Sequence, residues 1–464
     1  MQRTPAGVLM TGVLFLAGCG GVGTFAPPPV NHIGPASVGR QFKTVADGVA
    51  AGALKPVCGL GGTGRARCTS YVVVQRAAPS AAKGAPLSAA AHLAPGGLGP
   101  ADLQSAYRLT AAARSKGDGA LIAVVDAYDT PHAEHDLAVY RARYGLPPCT
   151  TANRCFRKVN QNGKAGPLPP VAPPDFAGWQ VETALDLEMV SANCPKCSIL
   201  LVESNDDFMN NLGAAVNGAA AFEPAAISNS YVTNESPTDP GPVAAGGLLA
   251  YYVHPNIAVV AGSGDFGYMS TPQWDGTVIG PLIPAAFPSV VAVGGTELWR
   301  DGSVERGWSE SVWASTGSGC SAVEQIPSWQ RPDPNCIGSL TDAAGRTRTF
   351  ASRIYGDVAY AANDVAEYDS SGLFGPEGWH VLAGTSIGSP AIAAIYGLAG
   401  YGPNGNRNSD DGDFPAQKLY ASRRSLFDIT VGFNGFCAAA YLCNAGPGYD
   451  GPTGNGSPNG IAAF

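Results

Sequence analysis

The sequence predicts an α/β protein built on a mostly parallel central sheet with helices on both faces. Three observations carry that expectation. Short runs rich in β-branched and apolar residues, without polar alternation, recur at 121–125, 199–202, 226–228, 257–261 and 290–293. Helix-like stretches lie between them near 133–144, 179–192, 207–219 and 242–253. Strands without alternation, separated by helices, are those of a parallel sheet buried on both sides. No internal repeat interrupts the pattern, so residues 115–464 read as one large domain, although 464 residues alone would suggest about three.

Composition narrows the class. Hydrophobic residues make up 45% of the chain, which excludes a disordered protein, and charged residues only 14%, while 61 Gly and 38 Pro indicate a loop-rich one. A net charge of −8 leaves no basic field for nucleic acid. Eleven cysteines are too many for an ordinary cytosolic enzyme.

At the N-terminus, residues 1–18 carry one Arg and a short apolar run that is too brief for a bilayer and fits a signal peptide. The run ends in Leu16-Ala17-Gly18-Cys19, similar to a bacterial lipobox, so Cys19 is the candidate lipidation site and the lipid anchor the only expected membrane contact. The expected location is extracytoplasmic. Residues 19–48 read as a flexible tether and 49–114 as a small N-terminal extension plus linker, with one apolar run at Tyr71–Val74. The other ten cysteines fall into five sequential couples: Cys58 and Cys68, Cys149 and Cys155, Cys194 and Cys197, Cys320 and Cys336, and Cys437 and Cys443. Short-loop disulfides are the simplest pairing. Cys194-Pro-Lys-Cys197 is a C-x-x-C, but it stands between a helix and a strand, with no second C-x-x-C or nearby His to complete a zinc site.

The segment Ala383-Gly-Thr-Ser-Ile-Gly-Ser-Pro390 opens an apolar helix, where a hydroxyl and backbone N–H groups meet a helix N-terminus. A plain Ser N-cap would look the same. The run also matches G-x-S-x-G, but a lipase-type triad needs a His after the Ser, and the six His residues all precede Ser386. A subtilisin-type order of Asp, His, Ser would use Asp126 at the end of the first strand, yet no His opens a helix in the required motif; His132 and His135 are expected to face solvent. The base must then be something other than His. Glu182 and Asp186 stand at i and i+4, one helical turn apart on one face. Two neighbouring carboxyls share a proton and raise one pKa, although such spacing is also common on solvated helices. In Ala261-Gly-Ser-Gly-Asp-Phe-Gly267, Asp265 follows a buried strand. It either shapes a turn or, protonated, donates to a developing oxyanion.

Taken together, GWQVETALDLE (178–188), ILLVES (199–204), ISNSY (227–231), AGSGDFG (261–267), FPSVVAVGGT (287–296), GTSIGSP (384–390) and the C-terminal FDIT, AGPGYD and TGNGSP resemble the sedolisin family, the serine-carboxyl peptidases, over nearly all of 115–460. The resemblance implies a subtilisin-like three-layer fold and hydrolysis of peptide bonds in proteins at acidic pH. It implies Ser386 as nucleophile, Glu182 as base, Asp186 hydrogen-bonded to Glu182, and Asp265 as oxyanion donor. Asp126 matches a strand-end acid that extends the network in some members, and Glu310, Trp313 and Trp179 match cleft walls or packing positions. One Ca²⁺ is implied at Asp428, the Ile429, Gly446 and Gly448 carbonyls, and Asp450, an all-oxygen set suited to that ion. The couple Cys437 and Cys443 falls inside this loop and would rigidify it. Residues 49–114 would be a reduced counterpart of the family's inhibitory propeptide. The expected substrates are proteins or peptides and the expected state a monomer. The competing expectation is a catalytically idle surface-binding protein on the same scaffold.

Overall fold

The computed structural model describes residues 44–59, 64–74, 96–239, 247–269, 279–342, 344–375, 378–402 and 414–464. The signal segment, Cys19 and nearly all of the tether lie outside these residues.

Near the N-terminus come α1 (Val45–Ala50), β1 (Leu54–Pro56), β2 (Arg67–Cys68), β3 (Tyr71–Val73), α2 (Pro100–Ala106) and α3 (Thr110–Ser115). The α/β body follows with β4 (Leu121–Ala127), α4 (Ala133–Arg143), β5 (Phe156–Asn160), α5 (Gly178–Asn193), β6 (Ser198–Ser204), α6 (Met209–Ala220), β7 (Ala226–Asn229), β8 (Tyr231–Asn234), β9 (Ala258–Gly262), β10 (Leu282–Ile283) and β11 (Val290–Arg300). A strand-rich stretch then runs β12 (Trp308–Val312), β13 (Gly319–Gln325), β14 (Ile337–Thr341), β15 (Thr347–Tyr355), β16 (Val358–Ala361), β17 (Val365–Asp369) and β18 (Gly378–Ala383), and α7 (Gly388–Ala399) leads towards the C-terminus.

The central sheet has the order β12-β11-β9-β7-β4-β6-β5, with β16 also on β11. Every pairing in it is parallel except β11 with β12. The strand cores β4, β7 and β9 are buried throughout, as their unalternating sequences require. Helices α2, α4 and α7 pack against α5, while α6 and the 3-10 turn Leu249–Tyr252 pack together against other sheet elements, giving the expected three layers. Helix α5 lies in the middle of its layer and is buried from Val181 to Asn193. Its acids therefore point into protein.

Two expectations are corrected. The helix expected over 242–253 is only the turn Leu249–Tyr252 in its described part. The N-terminal stretch, read as an extension plus linker, is part of the body: Leu103, Ala106, Tyr107 and Leu109 are fully buried in the main core, and β3 joins β18 in a second sheet, β1-β3-β18-β17. Its strands are two or three residues long, and β2 and β3 find partners far along the chain in β8 and β18, so no local periodicity announces them.

All five expected disulfides are formed. Cys58 is bonded to Cys68, and Cys149 to Cys155, where the latter closes the loop that leads into β5. Cys194 is bonded to Cys197 across the turn from α5 to β6, so the C-x-x-C is a structural cross-link there. Cys320 on β13 is bonded to Cys336, just before β14, and both pack with Ile354 and Leu442 in a satellite core. Cys437 is bonded to Cys443, whose carbonyl accepts from the Asn434 N–H and so fastens the C-terminal loop.

A buried ion pair ties the strand-rich stretch to the sheet. Arg353 on β15 reaches Asp357 with both ends of its guanidinium, at 2.9 and 2.6 Å, and both side chains are fully buried. Asp357 also accepts from the Ala292 N–H and the Tyr420 hydroxyl. Arg353→Met leaves a buried carboxylate uncompensated, and chemical denaturation is expected to show a loss of about 3–5 kcal/mol.

Candidate active site

The strand-to-helix turn after β18 presents the candidate nucleophile. Ser386 sits in a 3-10 turn, Thr385–Ile387, that runs into α7, and it is completely buried. Gly384 before it has φ +138°, and a Cβ there would stand 2.2 Å from the Thr69 carbonyl oxygen and 2.9 Å from Asp265 Oδ2. Only glycine lets a carbonyl enter at that point.

Four buried acids surround the turn, and each owes its position to one element. Glu182 and Asp186 project from α5, Asp126 ends β4, and Asp265 follows β9. Burial raises Glu182 well above the carboxyl range; hydrogen bonds from Ser386 and Ser70 pull it back, and the charges of Asp126 and Asp265 push it further up. Burial likewise raises Asp186, reinforced by Asp126 and Glu182 and opposed by the Ser230 hydroxyl. Asp126 is pushed up to about 7 and Asp265 to about 8, both chiefly by burial. Asp265 Oδ1 accepts from the Thr385 N–H at 2.9 Å and its hydroxyl at 2.8 Å, which leaves Oδ2 facing the space by Gly384 without a partner. Asp186 Oδ1 accepts from the Ser230 hydroxyl at 2.7 Å. Glu182 Oε1 and Asp186 Oδ2 have no hydrogen-bond partner, so the two acids interact through their charges. Among the described residues no His hydrogen-bonds to these acids: His135 is largely exposed, and His132 is exposed too.

The chain's own residues 67–73 fill the space in front of Ser386. The Thr69 N–H donates to Ser386 Oγ at 3.2 Å, and the Ser386 N–H donates to the Thr69 carbonyl at 3.1 Å. The Thr69 and Ser386 hydroxyls are 2.9 Å apart. The Ser70 hydroxyl donates to Glu182 Oε2.

No protein-family model matches the chain. Among curated proteins it is similar to kumamolisin of Bacillus sp. (strain MN-32), 30% identical over 386 residues, which are 79% of this chain and 63% of the relative. It is also similar to sedolisin of Pseudomonas sp. (strain 101), 30% identical over 197 residues, 39% of this chain and 30% of the relative. The chain is related to the sedolisin family. Xanthomonalisin of Xanthomonas sp. (strain T-22) is a third relative, 28% identical over 220 residues, 42% of this chain and 24% of that protein. The chain spans less than two thirds of the length of these curated relatives. Among solved structures, Pseudomonas sedolisin, a serine-carboxyl proteinase complexed with two molecules of pseudo-iodotyrostatin, superposes with a TM-score of 0.59 at 21% identity, over 79% of this chain and 96% of that one. That likeness supports the subtilisin-like fold.

Of the wall residues, Trp313 packs with Tyr71, Val73 and Ala383 beside the cleft, and Trp179 is buried in the main core. Glu310 lies in a separate network: it accepts from Tyr107, Thr296, Arg306 and Ser457. Sequence reasoning missed three contributors. Ser230 was visible only as part of ISNSY, yet its hydroxyl holds Asp186 and its carbonyl accepts from Ser386 at 3.3 Å. Thr69 and Ser70 had no signal, because what matters about them is where they lie in the fold.

Of the implied calcium residues, Asp428, Gly446, Gly448 and Asp450 come together. Gly448 N–H donates to Asp428 at 2.9 Å, Gly446 N–H to Asp450 at 3.1 Å, and Asp450 holds Thr453 through its N–H and hydroxyl. Asp428 and Asp450 are close enough for their charges to interact. Among the described residues no three His, Cys, Asp or Glu side chains converge on a metal position, so backbone carbonyls would complete the ligand set. Two carboxylates and a Gly-rich backbone fit a hard cation.

Proposed function

We propose that the chain is a serine-carboxyl peptidase that hydrolyses peptide bonds in proteins under acidic conditions. Ser386 attacks the carbonyl carbon, ionised Glu182 takes its proton, Asp186 orients and electrostatically tunes Glu182, and protonated Asp265 with the Ser386 N–H stabilises the oxyanion. Asp126 extends this acid network. The observation that carries the reading is that Ser386, Glu182 and Asp265 gather around one peptide segment: the Ser386 N–H donates to the Thr69 carbonyl, the Ser70 hydroxyl donates to Glu182, and Asp265 Oδ2 borders the same space by Gly384 as that carbonyl. An idle binding protein would have no use for that convergence.

The test is to incubate the full chain with denatured protein in acid and in neutral buffer, beside Ser386→Ala. Cleavage by the wild type in acid alone, absent from the variant, is expected. No cleavage anywhere removes the enzyme reading, and cleavage only at neutral pH removes the carboxylate mechanism.

The reading extends to one Ca²⁺ held by Asp428, Asp450 and the Ile429, Gly446 and Gly448 carbonyls, balancing two negative charges and bracing the C-terminal loop. Chelation is expected to lower the melting temperature, and added Ca²⁺, but not Mg²⁺, to restore it. Asp450→Asn should abolish the difference. Five disulfides support an oxidising, extracytoplasmic location, with Cys19 as the lipid anchor and the chain monomeric.

A further inference from the structure

The hairpin that leads into the Ser386 turn carries acids into the interior. Strand β17 pairs antiparallel with β18, which ends at Ala383, just before that turn. Strand β17 packs on α4 and α5, and its Glu367 and Asp369 are buried, as are Asp136 of α4 and Glu188 of α5. The two helix acids hold the hairpin backbone. Glu188 accepts from the Tyr368 N–H at 3.1 Å, and Asp136 from the Ser370 N–H at 3.4 Å. Trp379 of β18 completes the contact by packing its ring against Tyr140 and Tyr144 of α4.

These four carboxyls lack countercharge. Buried carboxylates are ordinarily paired with cations, because an unpaired charge in the interior is costly. Among the described residues no Lys or Arg forms an ion pair with any of the four, and Asp136 meets the largely exposed His135 at 3.0 Å. Both oxygens of Glu367 lack a hydrogen bond, and so does the buried Tyr140 hydroxyl, whose surroundings include Glu188 and Glu367. His380 stands opposite Glu367 in the register, but burial lowers its pKa against the pull of Asp369, so it brings little charge at neutral pH. Burial raises Glu367 well above the carboxyl range, and the charges of Asp369, Asp136 and Glu182 add to this. Burial raises Glu188 likewise, reinforced by Glu367, Asp136 and Asp369 and opposed by the Tyr368 N–H. Asp369 is raised by burial too, held back by the N–H and hydroxyl of Ser371.

We propose that the β17–β18 hairpin is a pH-sensitive latch: it stays clamped to α4 and α5 while its buried acids are protonated, and their ionisation towards neutral pH loosens it together with the Ser386 turn it leads into. The inference does not depend on the peptidase reading. Its sign follows from linkage. A carboxyl raised in the folded chain is still neutral there when its unfolded counterpart has ionised, so stability falls as pH climbs from the ordinary carboxyl range to the folded value. Once Glu367 ionises, its charge has no donor and faces Glu188 and Asp136, the two acids that hold the hairpin backbone. The loosening is read in stability and amide protection, which separates it from the Asp265 titration, read in initial rates.

The test is hydrogen exchange on the full chain carrying Ser386→Ala, which keeps proteolysis out of the readout, between acid and neutral pH. Rates are corrected for the intrinsic pH dependence of exchange. Protection of the β17 and β18 amides, that of Tyr368 included, is expected to fall roughly tenfold for each unit by which a latch carboxyl is raised, while β4 and β6 lose less. Adding Glu188→Gln with Glu367→Gln removes both charges at constant size and should flatten that fall. Each amide also brings a buried donor, so the comparison is of the change with pH rather than of absolute stability. Glu367→Leu, which carries no polar atom, should flatten it as well and serves alone if the double variant does not fold. A hairpin whose protection does not change with pH overturns the proposal. So does a fall shared equally by β4 and β6, or one that persists undiminished without these charges. The peptidase reading stands in each case.

Discussion

Glu182→Gln is expected to lower peptide turnover by roughly 10²–10⁴-fold, the usual contribution of a positioned general base. The substitution keeps size and shape, so folding should survive it, and a thermal melt checks this. Glutamine cannot take the Ser386 proton. In acting as a unit with the nucleophile, Glu182 should also show non-additivity: Ser386→Ala combined with Glu182→Gln should be no slower than Ser386→Ala alone. Steady-state rates on one peptide measure both comparisons. Independent, multiplying losses would mean that Glu182 does not serve Ser386. Asp186→Asn should shift the acid limb of the profile rather than abolish turnover, because Asp186 acts through Glu182.

Asp265 makes the second large prediction. Burial holds its pKa at about 8, so below that value the carboxyl is neutral and its Oδ2 can donate a proton to the oxyanion. As pH rises through it the donor is lost and a negative charge faces the developing oxyanion instead. Activity should therefore fall on the alkaline side through this titration. Asp265→Ala is expected to cost roughly 10²–10³-fold in kcat at all pH values, the effect of removing one oxyanion donor. Asp265→Asn donates at any pH, so it should flatten the alkaline limb while leaving the acid limb in place. An unchanged alkaline limb in that variant would place the titration elsewhere.

The proposed mechanism requires Glu182 to lose its proton while Asp265 keeps one, although each is buried and raised. The two differ in position: Glu182 accepts from hydroxyls, that of Ser386 among them, whereas Asp265 accepts from Thr385 and turns its partnerless Oδ2 to the space by Gly384.

Much of this was legible in the sequence where local pattern and chemistry coincide. The runs of β4, β6, β7, β9 and β11 carry their own burial signature, and GTSIGSP marks a strand–turn–helix passage. The i,i+4 spacing put Glu182 and Asp186 on one face, and burial of α5 on all sides makes that face interior. The cysteine couples were legible for the same reason, since each bond closes a short loop, as Cys149 with Cys155 and Cys437 with Cys443 both do over six positions. What stayed hidden depends on long-range partners. Strand β3 has three residues and meets β18 some 310 positions later. Ser230 gains its role only because α5 and the Ser386 turn converge on it. Residues 308–383 alternate too irregularly to show their strands, and their pairings depend on one another rather than on local periodicity. The Ala/Pro/Gly-rich composition of the N-terminal stretch concealed α2, whose Leu103 and Ala106 are buried because neighbouring helices cover them.

The central claim is that Ser386, activated by Glu182, is the nucleophile of an acid-acting peptidase. The most direct measurement is to treat the acid-incubated chain with a peptidyl phosphonate, which bonds covalently only to an activated serine, and to locate the added mass by peptide mapping. A single adduct on Ser386 that Glu182→Gln suppresses is the predicted result. An adduct on another residue, or labelling of Ser386 that proceeds equally without Glu182, would contradict it.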